Sequence, residues 1–329
     1  MQIDFFTVLV AVLSLVILAV PGFIAVKAKL LPQSAGGVLS TFVLYVGASA
    51  MVFMGFQKES YRADIAVNML IVAGVTFFVH ILMAGVMMLC VRGKSDEKKK
   101  RVARFAGVFG NMGYMGFPFL QLLFGNSSQY GEILVYGSVM LSVFNILYWT
   151  LGVYMITGNK KDVSIKKVLL NPVIIAVALG FLCFFILQKP IITLCDPGSK
   201  GERLLSGIMK SVDMLAGTVT PLSMFVIGMR LASVNVKQLF LDGWAYVVVF
   251  IKLVLTGLVT ILITAVLPLD LTVKYTLFFL LSMPTATGCA LLSVIFDSDS
   301  DFASVCVLLA TVLSIVTIPL LYLLFSAVI

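Results

Sequence analysis

Asn111 lies in a glycine-rich stretch, GVFGNMGYMGFPFLQLLFG at residues 107–125, inside an otherwise apolar segment. Its amide side chain can donate to a carboxylate and accept from a backbone N–H. Gly113 and Pro118 weaken the surrounding helix, because glycine is conformationally free and proline lacks an N–H donor. Within a bilayer such backbone is tolerated only where it lines a cavity. We therefore predict Asn111, Gly113 and Pro118 as substrate contacts.

A second stretch of the same kind, LSMPTATGCALLS at residues 281–293, contains Pro284 and Thr285, which we also predict as substrate contacts. If both stretches unwind and cross at one depth, two half-helix N-termini point into one cavity. Each carries about half a positive charge, which suits an anionic group. Unwound carbonyls could instead hold a cation or water, and two ordinary helix kinks are the alternative to a site.

Two further polar side chains lie deep in apolar segments. Asn145 is predicted either as a substrate contact or as an interhelical hydrogen bond. Lys252 is predicted either as a counter-charge for an anion or as a side chain that snorkels, so that its ammonium group reaches the membrane surface.

Three residues are candidates for coupling to a proton or a cation. Asp64, with Asn68 one turn later, heads a predicted helix and could bind either ion or cap the helix at the interface. Asp213 is the third candidate, but Lys210 lies three residues earlier on the same helix face, which favours a structural ion pair.

The remaining motifs give little support to metal or catalytic chemistry. His80 is the only histidine, and helix packing is favoured for it over a proton relay. The acidic run FDSDSD at residues 296–301 fits a solvated loop and helix cap better than a metal site. No nucleophile-elbow, zinc-protease, P-loop or dinucleotide motif is present. We predict no enzymatic activity, no metal and no cofactor, with H⁺ or Na⁺ as possible coupling ions.

The elements that position these residues follow from composition. Of 329 residues, 61% are hydrophobic and 12% charged, whereas soluble domains carry about 25% charged residues. A helix crosses the hydrocarbon core in about 20 residues, and several apolar runs exceed this length. The chain is predicted to be an all-α polytopic membrane protein. The net charge is +8, and most of the basic residues lie between the apolar runs. This pattern indicates membrane topology and no nucleic-acid partner.

Hydropathy and helix breakers predict ten membrane-spanning helices. They lie near residues 5–25, 36–55, 65–91, 102–124, 131–157, 171–188, 204–230, 243–267, 272–296 and 302–326. If the two strongest basic loops face the cytoplasm, most Lys and Arg residues lie inside, and both termini lie on the outer face of the plasma membrane.

Ten spans divide into two halves of five, which would have opposite orientations because five is odd. The spacing from Pro118 to Pro284 also carries Phe5, at the start of the first span, onto Asn171, at the start of the sixth. We predict a repeat at 1–157, a cytoplasmic linker at 158–170 and an inverted repeat at 171–329. Paired interrupted spans in two such halves are typical of a transporter binding site.

Four stretches together carry a family resemblance. They are FGNMGYMGFPFL, NPVIIAVALGFL, TVTPLSMFVIGMRLA and the last two spans from SMPTATGCALLS onward. The chain resembles the auxin efflux carrier family, which includes bacterial dicarboxylate carriers and plant auxin exporters. The resemblance implies crossing broken helices in an inverted five-plus-five repeat, as in the sodium–bile acid symporter type of fold. It also implies alternating access and an organic anion substrate bound near Asn111, Pro118, Pro284 and Thr285.

Two departures from the plant exporters bear on the substrate. Those exporters have an acid and a lysine one turn apart where this chain has Asp64 and Asn68, and their long cytosolic loop is absent here. We therefore expect a secondary transporter of small carboxylates such as malate or malonate. An auxin-like aromatic carboxylate exporter, an ion channel, a receptor-like membrane protein and an intramembrane enzyme are the alternatives. The expected partners are the substrate, the lipid bilayer and, as an open possibility, a second copy in a homodimer.

Overall fold

The computed structural model describes residues 3–92, 96–233 and 242–329. The described chain is built of helices joined by short loops. Up to the middle of the chain these are α1 Phe5–Lys27, α2 Ala35–Phe56, α3 Ala63–Cys90, α4 Glu97–Val108, α5 Met112–Phe124 and α6 Tyr130–Thr157. They continue as α7 Pro172–Leu187, α8 Lys200–Gly217, α9 Val219–Ser233, α10 Gly243–Val266, α11 Leu271–Leu281, α12 Gly288–Ile295 and α13 Ser300–Val328.

Among the described residues, seven helices are long and apolar enough to cross a membrane, or eight if the bent pair Lys160–Leu169 and Pro172–Leu187 forms one span. The prediction of a multi-pass helical membrane protein is confirmed. The total of ten spans stays a prediction. It also requires two pairs of shorter helices, α4 with α5 and α11 with α12, each to be counted as one span interrupted by a break.

Both predicted helix breaks exist, and they pair with each other. Helix α4 ends at Val108 and α5 begins at Met112, while α11 ends at Leu281 and α12 begins at Gly288. Residues Gly110 and Thr285 form an antiparallel bridge between the breaks. Backbone groups that lipid could not satisfy thus find partners in the opposite break.

Pro118 does not interrupt its helix as the sequence predicted. The break lies at residues 109–111, and the helix that begins at Met112 continues through Pro118 to Phe124. A π-helical turn, Met112–Gly116, directly precedes this proline, and Pro118 occupies the first turn of the α-helical part. A proline is tolerated in this continuous helix because the π-helical turn adjusts the hydrogen bonds around the N–H that proline lacks.

Several of the apolar helices contain π-helical turns, in which each hydrogen bond spans one residue more than in an α-helix. These turns lie at Val43–Gly47, Met112–Gly116, Tyr148–Gly152, Leu182–Leu187 and Ile251–Leu255. Such turns widen the helix locally and occur frequently at functional sites.

Helices α1 and α9 pack backbone against backbone. A methyl group added to Gly22 would meet the carbonyl oxygen of Phe225, and one added to Gly228 would meet the carbonyl oxygen of Ala19. Close approach through small residues is a common means of helix association in membranes, where hydrophobic burial gives little driving force. The contact fixes the start of the chain to the helix that carries Arg230.

Candidate functional site

A cavity of about 170 Å³ lies beside the pair of helix breaks. Its polar lining residues are Asn111, Asn145, Asn171, Arg230 and Thr287. The rest of the wall is apolar or aromatic and includes Tyr45, Tyr114, Tyr148 and Trp149. A mostly apolar cavity with a few convergent polar groups is the usual form of a small-molecule site.

Three of the π-helical turns supply parts of the cavity wall. Tyr45 comes from the turn in α2, Gly113 from the turn at the start of α5, and Tyr148 from the turn in α6. Because these turns are wider than α-helical turns, the helices are locally irregular where they face the cavity.

Asn111 lies in the first helix break and faces the cavity. Its side chain is 2% exposed, and its amide nitrogen Nδ2 has no hydrogen-bond partner in the described part of the chain. A buried donor without an acceptor costs about 1–3 kcal/mol. A ligand carboxylate in the cavity would remove this cost.

Arg230, on α9, places a positive charge in the cavity wall. Its guanidinium donates to the carbonyl of Thr287, with an N–O distance of 2.9 Å, and to Oγ of Ser40 at 3.3 Å. Within the described residues, these two acceptors engage two of its five N–H donors, and the others can bind another partner. Our sequence analysis missed this residue, although it is the one charged side chain in TVTPLSMFVIGMRLA.

Two helix N-termini also face the cavity. Helix α5 begins at Met112 and α12 at Gly288, and both residues are part of the lining. Each N-terminus carries about half a positive charge from its unpaired N–H groups. Gly288 is in close contact with the hydroxyl of Tyr148, which a methyl group at this position would displace.

A family model described as "Membrane transport protein" matches residues 7–322 of this chain. The chain belongs to this family. The resemblance to the auxin efflux carriers is thereby confirmed, and the cavity at the helix breaks is the candidate site of a transport protein.

Similar proteins agree with the family. A protein of Rhizobium meliloti named "Putative malonate transporter" is 27% identical over 317 residues, which cover 90% of this chain and 89% of the relative. An uncharacterized transporter of Methanothermobacter thermautotrophicus is 25% identical and covers 94% of this chain and 95% of its own length. A third, from Methanocaldococcus jannaschii, is 21% identical over 94% of this chain and 96% of the relative.

Asn145 and Asn171 line the cavity of this transport protein, but their amide groups are partly engaged. Nδ2 of Asn145 donates to the carbonyl of Leu141 at 2.8 Å, and Nδ2 of Asn171 donates to Oδ1 of Asn145 at 3.4 Å. The predicted interhelical role of Asn145 is therefore present. Because Asn145 also lies in the cavity wall, its predicted contact with a substrate stays a prediction.

Pro284 and Thr285 lie in the second helix break and are not among the residues that line the cavity. Thr285 is fully buried, and its hydroxyl donates to the carbonyl of Ala106 at 3.0 Å. Pro118 is also outside the lining. In this conformation Pro284 and Thr285 belong to the crossing, Pro118 lies in the helix that follows it, and Asn111 and Gly113 face the cavity.

Lys252 is buried behind the crossing, with 1% of its surface exposed. It is not part of the cavity wall. The expectation that its side chain reaches the membrane surface is wrong, because Nζ turns inward to the carbonyl oxygen of Leu281 at 3.2 Å.

The coupling candidates Asp64 and Asn68 bind different partners, one at the surface and the other in the interior. Asp64 is 54% exposed and forms an ion pair with Arg62, which also pairs with Glu132 at 2.9 Å. Asn68 points inward, toward the hydroxyl of Tyr136 at 3.2 Å and the carboxylate of Asp270 at 3.4 Å. Neither is part of the cavity wall.

The loop before α3 holds another acidic side chain near these residues. Partial burial of Glu59 raises the pKa of its carboxyl group, and the nearby carboxylate of Glu132 raises it further, while Arg62 opposes the shift. The hydrogen bond from Arg62 to Asp64 raises the pKa of that guanidinium. Sequence analysis overlooked Glu59 because nothing in its local sequence indicates partial burial.

The predicted ion pair between Lys210 and Asp213 is wrong. Both side chains are exposed on α8, and no salt bridge joins them in the described structure. On an exposed helix face, the small gain from an ion pair competes with the side-chain entropy that it costs.

His80 and the acidic run have structural partners. Nδ1 of His80 lies 2.7 Å from the carbonyl of Thr76, and the ring packs against Phe109 and Phe144. In the acidic run, Asp299 accepts from the backbone N–H of Phe302 and so caps α13, while Asp297 pairs with Lys98 at 2.8 Å. These contacts match the helix-packing and helix-cap roles that the sequence favoured.

Proposed function

We propose that this chain is a secondary active transporter of small organic dianions, such as malonate or malate, across the plasma membrane. The observation that carries the proposal is the unpartnered amide donor of Asn111 in the same cavity as the guanidinium of Arg230. Both groups are suited to a carboxylate, and neither requires a metal or cofactor.

The charge of the cavity favours two carboxylates over one. Arg230 contributes one positive charge, and the N-termini of α5 and α12 contribute about half a charge each. The sum is about two positive charges. None of the described residues that line the cavity is an Asp or Glu that would oppose it. A dianion would therefore be neutralised in the site, whereas a monoanion would leave a net positive charge.

The size of the cavity favours a small substrate. A buried cavity of about 150 Å³ holds benzene, and the cavity here measures about 170 Å³. Malonate and malate are close to benzene in size, whereas an auxin-like aromatic carboxylate is about twice as large. The malonate transporter name of the Rhizobium meliloti relative supports the same substrate class.

Alternating access is the mechanism that we propose for this site. The two halves, residues 1–157 and 171–329 joined by the linker 158–170, would form ten spans in an inverted repeat with both termini outside. The paired breaks support this arrangement, because discontinuous helices at a repeat interface are typical binding sites of such carriers. The cavity would open to one side of the membrane at a time as one part of the bundle moves against the other.

The coupling ion and the oligomer form part of the same proposal. Asp64, Asn68 and Asp213 stay candidates for proton or cation coupling, and a homodimer stays a prediction. A transport rate that does not change with an imposed pH gradient would exclude proton coupling. A transport rate that does not change when sodium is replaced by choline would exclude sodium coupling.

The direct test is counterflow of labelled malonate into liposomes that contain the purified chain. We expect saturable exchange that malate inhibits and that acetate and indole-3-acetate inhibit weakly. Asn111→Ala is expected to slow exchange at least tenfold, whereas Asn126→Ala, an exposed asparagine outside the cavity, serves as the matched control.

Three results would change the proposal. If Asn111→Ala exchanges malonate as fast as the unsubstituted chain, the substrate site is not in this cavity. Preferential inhibition by indole-3-acetate would support an aromatic carboxylate exporter. Ion conductance without saturable counterflow would support a channel.

A further inference from the structure

The ammonium group of Lys252 lies where two helices end. Its Nζ donates to the carbonyl oxygen of Leu281 at 3.2 Å and to that of Val108 at 3.5 Å. These are the last residues of α11 and α4, the two helices that lead into the breaks. Carbonyls at a helix C-terminus lack an intrahelical partner, so the ammonium satisfies groups that would otherwise be unpaired.

The helix ends also balance the charge of Lys252. The side chain is 1% exposed, and no acidic side chain of the described residues forms a salt bridge with it. Each helix C-terminus carries about half a negative charge, so the two together offset about one positive charge. A buried cation is very costly without such compensation.

The surrounding backbone is shaped to admit this ammonium. Lys252 lies in the π-helical turn Ile251–Leu255. On the opposite side lies Gly110, where an added methyl group would stand 2.9 Å from Nζ and 3.1 Å from the carbonyl oxygen of Met283. Glycine at position 110 therefore leaves the space that the ammonium occupies.

We propose that Lys252 is a tethered cation that takes the place of a free monovalent cation at the crossing of the broken helices. Unwound carbonyls at such a crossing are suited to hold an ion, and here a side chain of the protein supplies the positive charge. The carrier consequently needs no bound sodium or potassium at this position to hold the crossing together. The inference goes beyond the proposed function, because it holds for any substrate of the cavity.

The test measures thermal unfolding of the purified chain in detergent, in equal concentrations of sodium, potassium or choline chloride. The Tm of the unsubstituted chain is expected to be the same in all three salts. Lys252→Met, which keeps most of the unbranched side chain but removes its charge, is expected to lower the Tm in every salt. Lys252→Ala opens space at the carbonyls, and sodium or potassium is expected to raise its Tm by about 3 °C or more over choline.

Two variants keep the test decisive if Lys252→Ala does not fold in choline. Lys252→Arg retains the charge and is expected to have the same Tm in all three salts. Lys210→Ala, which removes an exposed lysine, is expected to show no salt-specific change. Recovery of folded Lys252→Ala only in sodium or potassium would itself support the proposal.

The proposal is overturned if Lys252→Met matches the Tm of the unsubstituted chain. It is also overturned if sodium stabilises the unsubstituted chain as much as Lys252→Ala, or if neither alkali cation stabilises Lys252→Ala. Because these measurements use no transported anion, their failure is distinct from a failure of malonate counterflow.

Discussion

The backbone N–H of Asn111 donates to the carbonyl oxygen of Pro284, with an N–O distance of 2.7 Å. A second bond runs the other way, from the N–H of Ala286 to the carbonyl oxygen of Phe109 at 2.9 Å. The residue that presents an unpartnered amide to the cavity is therefore held by its own backbone to the opposite helix break. Any movement of one break relative to the other changes the position of this amide.

Substitution of Arg230 by glutamine is expected to weaken the binding of dicarboxylates more than that of monocarboxylates, because it removes half of the positive charge of the cavity. We expect the half-saturation concentration for malonate to rise at least about tenfold, which corresponds to about 1.4 kcal/mol. Counterflow at several malonate concentrations measures this change. Arg203→Gln, on exposed α8, is the charge-matched control; an equal effect of both variants would contradict the role of Arg230.

Gly288→Ala is expected to impair transport, because the new methyl group meets the hydroxyl of Tyr148 at the start of α12. Combining it with Tyr148→Phe removes the obstructing oxygen and is expected to restore much of the lost rate. Counterflow and Tm of the two single variants and the double variant form a mutant cycle that isolates this contact. Strictly additive effects would show that the two residues do not interact.

Gly228→Leu is expected to destabilise the protein strongly, because its side chain would overlap the backbone carbonyl of Ala19 in α1. Overpacking costs about 1–3 kcal/mol where side chains can adjust, and backbone atoms adjust less. Thermal unfolding in detergent measures the loss. The control is Gly207→Leu, at an exposed helical position where an added methyl group meets nothing within 4 Å. A Tm of Gly228→Leu equal to that of the control would argue against close α1–α9 packing.

Glu59 is expected to make stability fall as pH rises above its ordinary pKa of 4.5, because burial and Glu132 raise the pKa of its carboxyl group in the folded chain. In that window the folded state binds more protons than the unfolded state, so stability decreases with increasing pH. Glu59→Gln removes this dependence and is expected to unfold at a higher temperature than the unsubstituted chain near neutral pH. Tm measured across the acidic to neutral range tests the sign. Asp196→Asn, at an exposed position, controls for the loss of one carboxylate.

The sequence predicted the long apolar helices and both breaks because these depend on local composition. Long apolar runs give the helices. Glycine, proline and asparagine near residue 111, and proline and glycine near residue 284, indicate unwound backbone. The position of the first break was less accurate. Pro118 is the strongest helix breaker in its stretch, but the π-helical turn before it allows the helix to continue through it.

The members of the cavity wall were harder to predict, because they depend on which face each helix turns toward its neighbours. Arg230 and Lys252 are both single basic residues in apolar helices, and sequence analysis singled out only Lys252. The structure places Arg230 in the cavity and Lys252 behind the crossing. Neither position follows from charge or hydropathy along the chain.

The two hydrogen bonds that join the breaks involve only main-chain atoms. The side chains of Phe109 and Ala286 take no part in these two bonds, so the bonds themselves do not require these residue types. Proline is the exception at positions 111 and 286, because it lacks the N–H that each bond requires. The crossing can therefore persist among relatives whose sequences have diverged to 21–27% identity with this chain.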